Sequence, residues 1–362
     1  MKVVSVVGAR PQFVKLAPID HAFKKSGIEH IIIHTGQHYD PEMSESFFKE
    51  LNISPANYNL GVGSGSHARQ TADMMIGIEN LLLELQPDWL LVFGDTNSTL
   101  AASVAAVKIH TKIAHLEAGL RSFNRLMPEE HNRILTDHAS DLLLAPSALA
   151  MENLTREGLA KKSVLVGDVM TDVCLNTREK VLIERPALPA DFASQGLTHE
   201  KLLDGSYLVA TIHRAENTDD PIRLRTIIEA LQNLPKTVIL MAHPRLVSKA
   251  RAAGIELNAG SVKTVKPTSY PVMVDLVSRA HGVVTDSGGL QKEAYLLKAP
   301  CTTIRTETEW PETFADGWNL LAPEVSELSE AVMRPRPTTQ SSSPYGDGKA
   351  AYEVVEALKN FA

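Results

Sequence analysis

The chain has 362 residues, 44% of them hydrophobic and 22% charged, which excludes disordered and fibrous classes and leaves room for about two domains. Its formal charge of -7, from 36 Lys and Arg against 43 Asp and Glu, gives no basic excess of the kind that holds nucleic acid or an anionic membrane, so a bound anion needs a local site. Cys174 and Cys301 show no metal-ligand or CxxC spacing and read as buried thiols in a reducing cytoplasm. The N-terminal apolar run stops at Gly8-Ala9-Arg10-Pro11, too short for a signal peptide or a membrane span.

In chain order, short β-branched runs alternate with helix-period segments: Lys2 to Val7, His30 to Thr35, Trp89 to Phe93, Lys112 to His115, Asp141 to Leu144 and Val164 to Val166. A further series follows at Tyr207 to Ile212, Thr237 to Met241, Val262 to Val265, His281 to Thr285, Ala299 to Ile304 and Trp318 to Leu321. This alternation predicts an α/β protein with two parallel sheets, each covered by helices on both faces. The expected division is 1–180 and 181–345, with 346–362 a terminal helix packing back on the first domain. The polar, Pro-bearing stretch from Glu184 to Ser206 reads as a connection and opening helix rather than core, and Arg334 to Ser343 as a Pro/Ser/Thr-rich loop.

Open parallel sheets bind ligands beyond the carboxyl ends of their strands, where loop amides and helix N-termini converge. The first strand runs into GARPQFVK, where Arg10 and Lys15 offer positive charge near a helix start. This is not GxGxxG, so a nicotinamide dinucleotide is not expected and no cofactor is called for. Asp95 in GDTNST and Glu117 in HLEAGLR follow strands, and Glu129 lies in PEEHNR. Any one of them reads best as a helix cap or first-turn residue. Three carboxylates aimed at one place are harder to dismiss, because such a set makes sense for moving protons or steadying a developing cation. Glu130, Asn132 and Arg133 read as solvated or helix-pairing residues. The spacings His131/His138 and His34/His38 lack a third ligand, so no metal site is expected.

In the second half, His213 and Arg214 end one strand and can face phosphate oxygens. Thr285-Asp286-Ser287-Gly288-Gly289 ends another and opens a helix carrying Glu293. Bare backbone at Ser287 to Gly289 can approach a diphosphate at the helix N-terminus, and Glu293 can accept hydrogen bonds from ribose hydroxyls.

Taken together, GARPQFVK, TGQHYD, FGDTNST, HLEAGLRS, MPEEHNR, TIHRAEN, TDSGGLQKEA, TETEWPET and SPYGDGKA occur in one order along the chain. That ordered set resembles the non-hydrolysing UDP-N-acetylglucosamine 2-epimerases, whose fold is similar to the two-domain GT-B glycosyltransferases. The resemblance implies two Rossmann-like domains with the ligand cleft between them. It implies that Arg10, His213, Ser287, Gly288, Gly289 and Glu293 hold UDP, with Lys15 at the cleft and Tyr270 on the uracil side. Asp95, Glu117 and Glu129 would line the sugar pocket, with His213 beside the leaving diphosphate.

The C2 hydrogen of such a sugar has no neighbouring carbonyl to acidify it, so elimination is the chemistry left: UDP departs from C1, a carboxylate removes the C2 proton, and re-addition with a proton on the opposite face inverts C2. The acid and base roles fall jointly on Asp95, Glu117 and Glu129. The resemblance also implies a homodimer in the cytoplasm, a UDP-sugar as the small-molecule partner, and neither nucleic acid nor membrane. Departures are informative: Trp310 stands where many members carry Arg, Ala215 replaces an Arg of regulated members, and the GARPQF and TEW variants are similar to relatives acting on UDP-2,3-diacetamido-2,3-dideoxyglucuronate. A GT-B glycosyltransferase, a nucleotide-sugar sensor and a hydrolysing epimerase are the competing functions.

Overall fold

The computed structural model describes residues 1–37, 53–308, 310–340 and 342–361, without the side chains of Arg10 and Pro11. The expectation for the Arg10 side chain and for the end of the TGQHYD motif therefore lies outside the described residues. The chain forms two compact units, Met1–Val173 together with Pro344–Ala362, and Cys174–Ser343.

The first unit is built on β1 (Lys2–Val7), β2 (Glu29–His34), β3 (Tyr58–Asn59), β4 (Trp89–Phe93), β5 (Ile113–Leu116), β6 (Leu142–Ala145) and β7 (Ser163–Leu165). Their order is β3-β2-β1-β4-β5-β6-β7, with every pair parallel. β4 is buried at all five positions, as a strand covered on both faces must be. One face packs Phe13, Leu16, Phe23 and Trp89, and the other packs Met74, Ile78, Leu82 and the alanines 101, 102, 105 and 106. The covering helices are α1 (Arg10–Lys25), α2 (His67–Leu85), α3 (Asn97–Lys108), α4 (Pro128–Ala139), α5 (Ala148–Arg156) and α6 (Val169–Ile183), along which the chain passes into the second unit.

The second unit contains β8 (Tyr207–Thr211), β9 (Thr237–Met241), β10 (Val262–Val265), β11 (Gly282–Thr285), β12 (Cys301–Thr303) and β13 (Asn319–Leu321) in the order β10-β9-β8-β11-β12-β13, again all parallel. Its helices are α7 (Ala190–Ser194), α8 (Ala215–Thr218), α9 (Pro221–Gln232), α10 (Pro244–Ala252), α11 (Tyr270–Arg279), α12 (Gly288–Leu296) and α13 (Leu328–Met333). α14 (Ala350–Asn360) belongs to the first unit and packs on α1 through Val354, Val355 and Leu358. Asp172 of α6 holds it there by accepting from the amides of Ala350 at 3.0 Å and Ala351 at 2.8 Å.

Two expectations need correction. β3 was not foreseen, because Tyr58-Asn59 carries no apolar run and exists as a strand only through its pairing with Ile33 and His34. The stretch from 184 to 206 is not merely a connection, since Phe192, Leu197 and Leu202 sit in the core of the second unit. Three single apolar residues spaced through polar sequence lack the periodicity that would have marked them.

Each sheet reverses its strand order once, between β1 and β4 in the first unit and between β8 and β11 in the second. At such a point the loops leaving the two strands diverge to opposite faces and open a crevice at the carboxyl ends.

Candidate functional site

At the first reversal, the β1 and β4 loops are tied together by Gln12. Its Oε1 accepts from the amides of Gly8 and Ala9 at 2.8 and 3.0 Å, and its Nε2 donates to the Phe93 carbonyl at 2.9 Å. Gly8 is required for this fit, because a Cβ there would lie 2.0 Å from Thr35 Oγ1 and 2.3 Å from Ser98 Oγ. Gly94 then turns with φ +62° and delivers Asp95.

Glu117 leaves the end of β5 with φ 72°, a left-handed conformation that costs a non-glycine residue roughly 1–2 kcal/mol. Its carboxylate is paired with the Lys15 ammonium, and both side chains are largely buried. Burial alone would lower the Lys15 pKa. Glu117, then Asp95 and Asp168, outweigh it and raise the pKa, so Lys15 is a cation inside an acidic neighbourhood. Asp95 is only one-third exposed and receives Arg133 Nη2 at 2.5 Å, while Asn132 donates to the Asp95 carbonyl at 2.8 Å. The structure thus brings Lys15, Asp95 and Glu117 together at one sheet end. Glu129 is exposed in the first turn of α4.

The solvated reading of Glu130, Asn132 and Arg133 is wrong. All three are buried, together with Thr136 and Asp137 of the same helix. Arg133 does make an i,i+3 pair with Glu130, but the same guanidinium also carries Asp95. Glu130 accepts from the amides of Ser122 and Phe123, each at 2.9 Å, and so anchors the loop before α4. A signal was available: PEEHNRILTDHA has no apolar stripe, and a helix inside an α/β domain without one must bury polar residues.

At the second reversal, Thr211 and Thr285 face each other in register and join through their hydroxyls at 2.6 Å. The next residue of β11's loop, Asp286, is fully buried. Its carboxylate accepts from the His213 amide at 3.0 Å, the Arg214 amide at 2.9 Å and Asn217 Nδ2 at 3.1 Å, and it lies 3.1 Å from His213 Nδ1. Burial would raise its pKa, but these donors lower it, so Asp286 is held ionised. The His213 side chain remains 40% exposed with its ring orientation set from behind.

Ser287 is the N-cap of α12 but makes no side-chain cap bond. The first-turn amides of a helix have no intrahelical partner and attract anions. A Cβ on Gly289 would meet nothing within 4 Å, so the chain's own packing does not require glycine there. Gly288 and Ser287 are part-exposed beside it. Glu293, one turn on, is buried. Tyr270 starts α11, and burial first, then Glu293, push its hydroxyl above the usual range. Burial also raises the thiol of Cys174, which neighbours both, to about 12. The loop holding Trp310 lies against α12, with Lys292 Nζ 4.1 Å from the indole centroid and Thr308 donating to Gln291 Oε1 at 2.6 Å.

Two parallel α/β sheets, each gathering charged and bare-backbone groups at its strand-order reversal, define a GT-B-like protein with two Rossmann-like domains. The family model for UDP-N-acetylglucosamine 2-epimerase matches residues 21–359. The chain belongs to that family.

A relative from Methanococcus maripaludis, described as a UDP-N-acetylglucosamine 2-epimerase homolog, is 45% identical over 99% of this chain and 100% of its own length. The UDP-2,3-diacetamido-2,3-dideoxy-D-glucuronate 2-epimerase of Pseudomonas aeruginosa is 42% identical over 99% of each. The crystal structure of the Methanocaldococcus jannaschii UDP-GlcNAc 2-epimerase with UDP-GlcNAc and UDP matches at a TM-score of 0.83 and 38% identity, over 99% of this chain and 100% of that one.

Proposed function

We propose that this isomerase interconverts UDP-N-acetylglucosamine and UDP-N-acetylmannosamine by elimination and re-addition of UDP. The observation that carries the reading is the grouping of Asp95, Glu117 and Lys15 at the β1/β4 reversal. Two carboxylates next to a fixed cation suit proton transfer better than they suit binding alone.

The C1–O bond to UDP breaks with its electron pair going to the diphosphate oxygen. As cationic character builds on the ring, a carboxylate takes the C2 proton, and the C2–H pair becomes the C1=C2 bond of a 2-acetamidoglucal. The departing charge falls to His213, Arg10 and the amides at Ser287, Gly288 and Gly289. Glu293 and Tyr270 serve the nucleoside. Return of a proton to the other face of C2, with UDP re-adding at C1, completes inversion. Asp95, Glu117 and Glu129 share the proton transfers, and Lys15 balances the charge they carry.

A second reading has its own support in the 42% identity to the Pseudomonas aeruginosa enzyme: the same chemistry on UDP-2,3-diacetamido-2,3-dideoxy-D-glucuronate. Proton NMR of both UDP-sugars with the enzyme in heavy water tests the two together. Deuterium entering C2 with appearance of the C2 epimer is the expected result for UDP-N-acetylglucosamine. Labelling of the glucuronate alone selects the second reading, and labelling of neither sinks both. A homodimer in the cytoplasm belongs to the same proposal. No helix among the described residues is long and apolar enough to cross a membrane, and sedimentation of the purified chain tests the dimer.

A further inference from the structure

Behind the Asp95 and Glu117 turns lies a set of buried charges that touches neither carboxylate. His115 of β5 is fully buried, with Nδ1 2.6 Å from Asp137 Oδ1 and Nε2 2.7 Å from the Gly94 carbonyl. Each ring nitrogen faces an oxygen, so the imidazole bridges the Asp137 carboxylate and the Gly94 carbonyl. The other oxygen of Asp137 accepts from the Gly119 amide at 3.1 Å and pairs with Arg121 Nη2 at 2.8 Å. Arg121 in turn makes a two-pronged contact with Glu157, with Nε and Nη2 each at 2.7 Å. Burial would raise the Asp137 pKa, and His115 and Arg121 together lower it.

This single carboxylate therefore reaches both turns: through His115 to Gly94, the residue before Asp95, and directly to Gly119, two residues after Glu117. Those turns are the ones that need holding. Gly94, Glu117 and Gly119 all have positive φ, at 62°, 72° and 83°. A left-handed glutamate persists only where its surroundings over-determine it. A Cβ on Gly94 would come within 3.0 Å of Glu117 Oε2, so a shift of one turn is felt by the other. Buried ion pairs contribute little to stability compared with apolar packing, which leaves geometry as their better use.

We infer that Asp137, held in place by Arg121 and acting through His115 on Gly94 and directly on the Gly119 amide, is the positioning residue that sets the spacing of the Asp95 and Glu117 carboxylates. The inference rests on the epimerase reading for its catalytic consequence, though not for its geometry.

The test is a matched pair of variants. His115→Gln can place an amide donor where Nε2 stands and keep the bond to Gly94; His115→Asn can place one at Nδ1 and keep only Asp137. With UDP-N-acetylglucosamine, kcat is expected to fall about 100-fold in both variants, because each keeps only one of the two bonds that relay Asp137 to Gly94, and a loss of that size follows a misplacement of roughly 1 Å. The UDP Kd by calorimetry is unchanged in both. Wild-type kcat in either variant, or a loss of UDP affinity that matches the loss of kcat, overturns the inference.

If neither variant folds, Arg121→Lys takes their place: lowered kcat at unchanged KM and near-native Tm is expected, and unchanged kcat overturns. A crystal structure of whichever variant folds separates this inference from the functional one. A displaced Gly94-Asp95 or Glu117-Gly119 turn is expected even if the wild type labels no UDP-sugar, and turns left in place overturn positioning alone.

Discussion

The two units solve the same problem with different materials. In the first, the groups at the strand-order reversal are charged side chains, and a helix turns a polar face inward to hold them: Glu130, Asn132, Arg133 and Asp137 of α4 are all buried. In the second, the groups on offer are largely backbone, the first turn of α12, and one buried carboxylate, Asp286, organises the opposing loop through two amides and an imidazole. The difference fits the tasks proposed for them, proton transfer in the first unit and diphosphate binding in the second. A proton must be taken from one atom along one direction, so its acceptor needs a rigid charged frame. A diphosphate spreads its charge over many oxygens and is satisfied by amides that any side chain can precede.

The largest expected effect separates those tasks. Asp95→Asn should lower kcat by about 10³-fold, within the range removed with a general acid or base, while UDP binding by calorimetry stays near wild type. Loss of UDP affinity in step with kcat would erase the contrast between the units.

Asp286→Ala should act on the second unit's scaffold instead. Its removal leaves the His213 and Arg214 amides without their acceptor and takes one of the two acceptors of Asn217, and each buried donor left unmet costs about 1–3 kcal/mol. A large drop in Tm together with weaker UDP binding is the expected result. A native Tm would show that the loop holds without its carboxylate.

Asp172 sharpens the comparison through pH. Its pKa is raised from 3.8 to about 6, first by burial and with a contribution from Asp168, against the two helix amides it accepts from. The folded state therefore binds the proton more tightly than the unfolded state, and stability from this group is present below about pH 4 and lost as pH rises through about 6. The difference between those limits is on the order of 2–3 kcal/mol. The Tm of Asp172→Asn relative to wild type should accordingly rise between pH 4 and pH 6 (roughly the window between the two pKa values). A difference independent of pH would remove Asp172 as the titrating group.

The smallest effects come from one substitution made in both places. Gly94→Ala meets a positive φ and crowds the Glu117 carboxylate and the Lys15 ammonium, so it should cost about 1–2 kcal/mol of stability and lower kcat. Gly289→Ala enters open space on a helix and should raise stability by about 0.5–1 kcal/mol while weakening UDP binding, because the added methyl would stand at the proposed diphosphate site. Thermal melts beside UDP titrations read both, and tighter UDP binding in Gly289→Ala would remove that glycine from the nucleotide site.

Most of the architecture was legible from residues alone. Strands such as Trp89–Phe93 and Thr237–Met241 are continuous apolar runs, and a run buried on both faces needs no knowledge of its partners to be recognised. The carboxyl-end placement of Asp95, Glu117, His213 and Ser287 followed from the same runs, since the residue after a strand in a parallel sheet has nowhere else to go. Local pattern did not reveal what stands behind those residues. Gln12 spans two loops that are 81 residues apart at Phe93. Asp137 joins His115, 22 residues away, to Gly119 and Arg121. Tyr58-Asn59 becomes a strand only beside Ile33 and His34.

The sequence by itself determined the elements, their alternation and the loops at which chemistry gathers, because burial period and turn chemistry are properties of neighbouring residues. Only the tertiary structure decided which polar side chains go inside. A buried charge is stable only with its partners in place, and those partners come from distant strands and helices that the folded chain alone brings together.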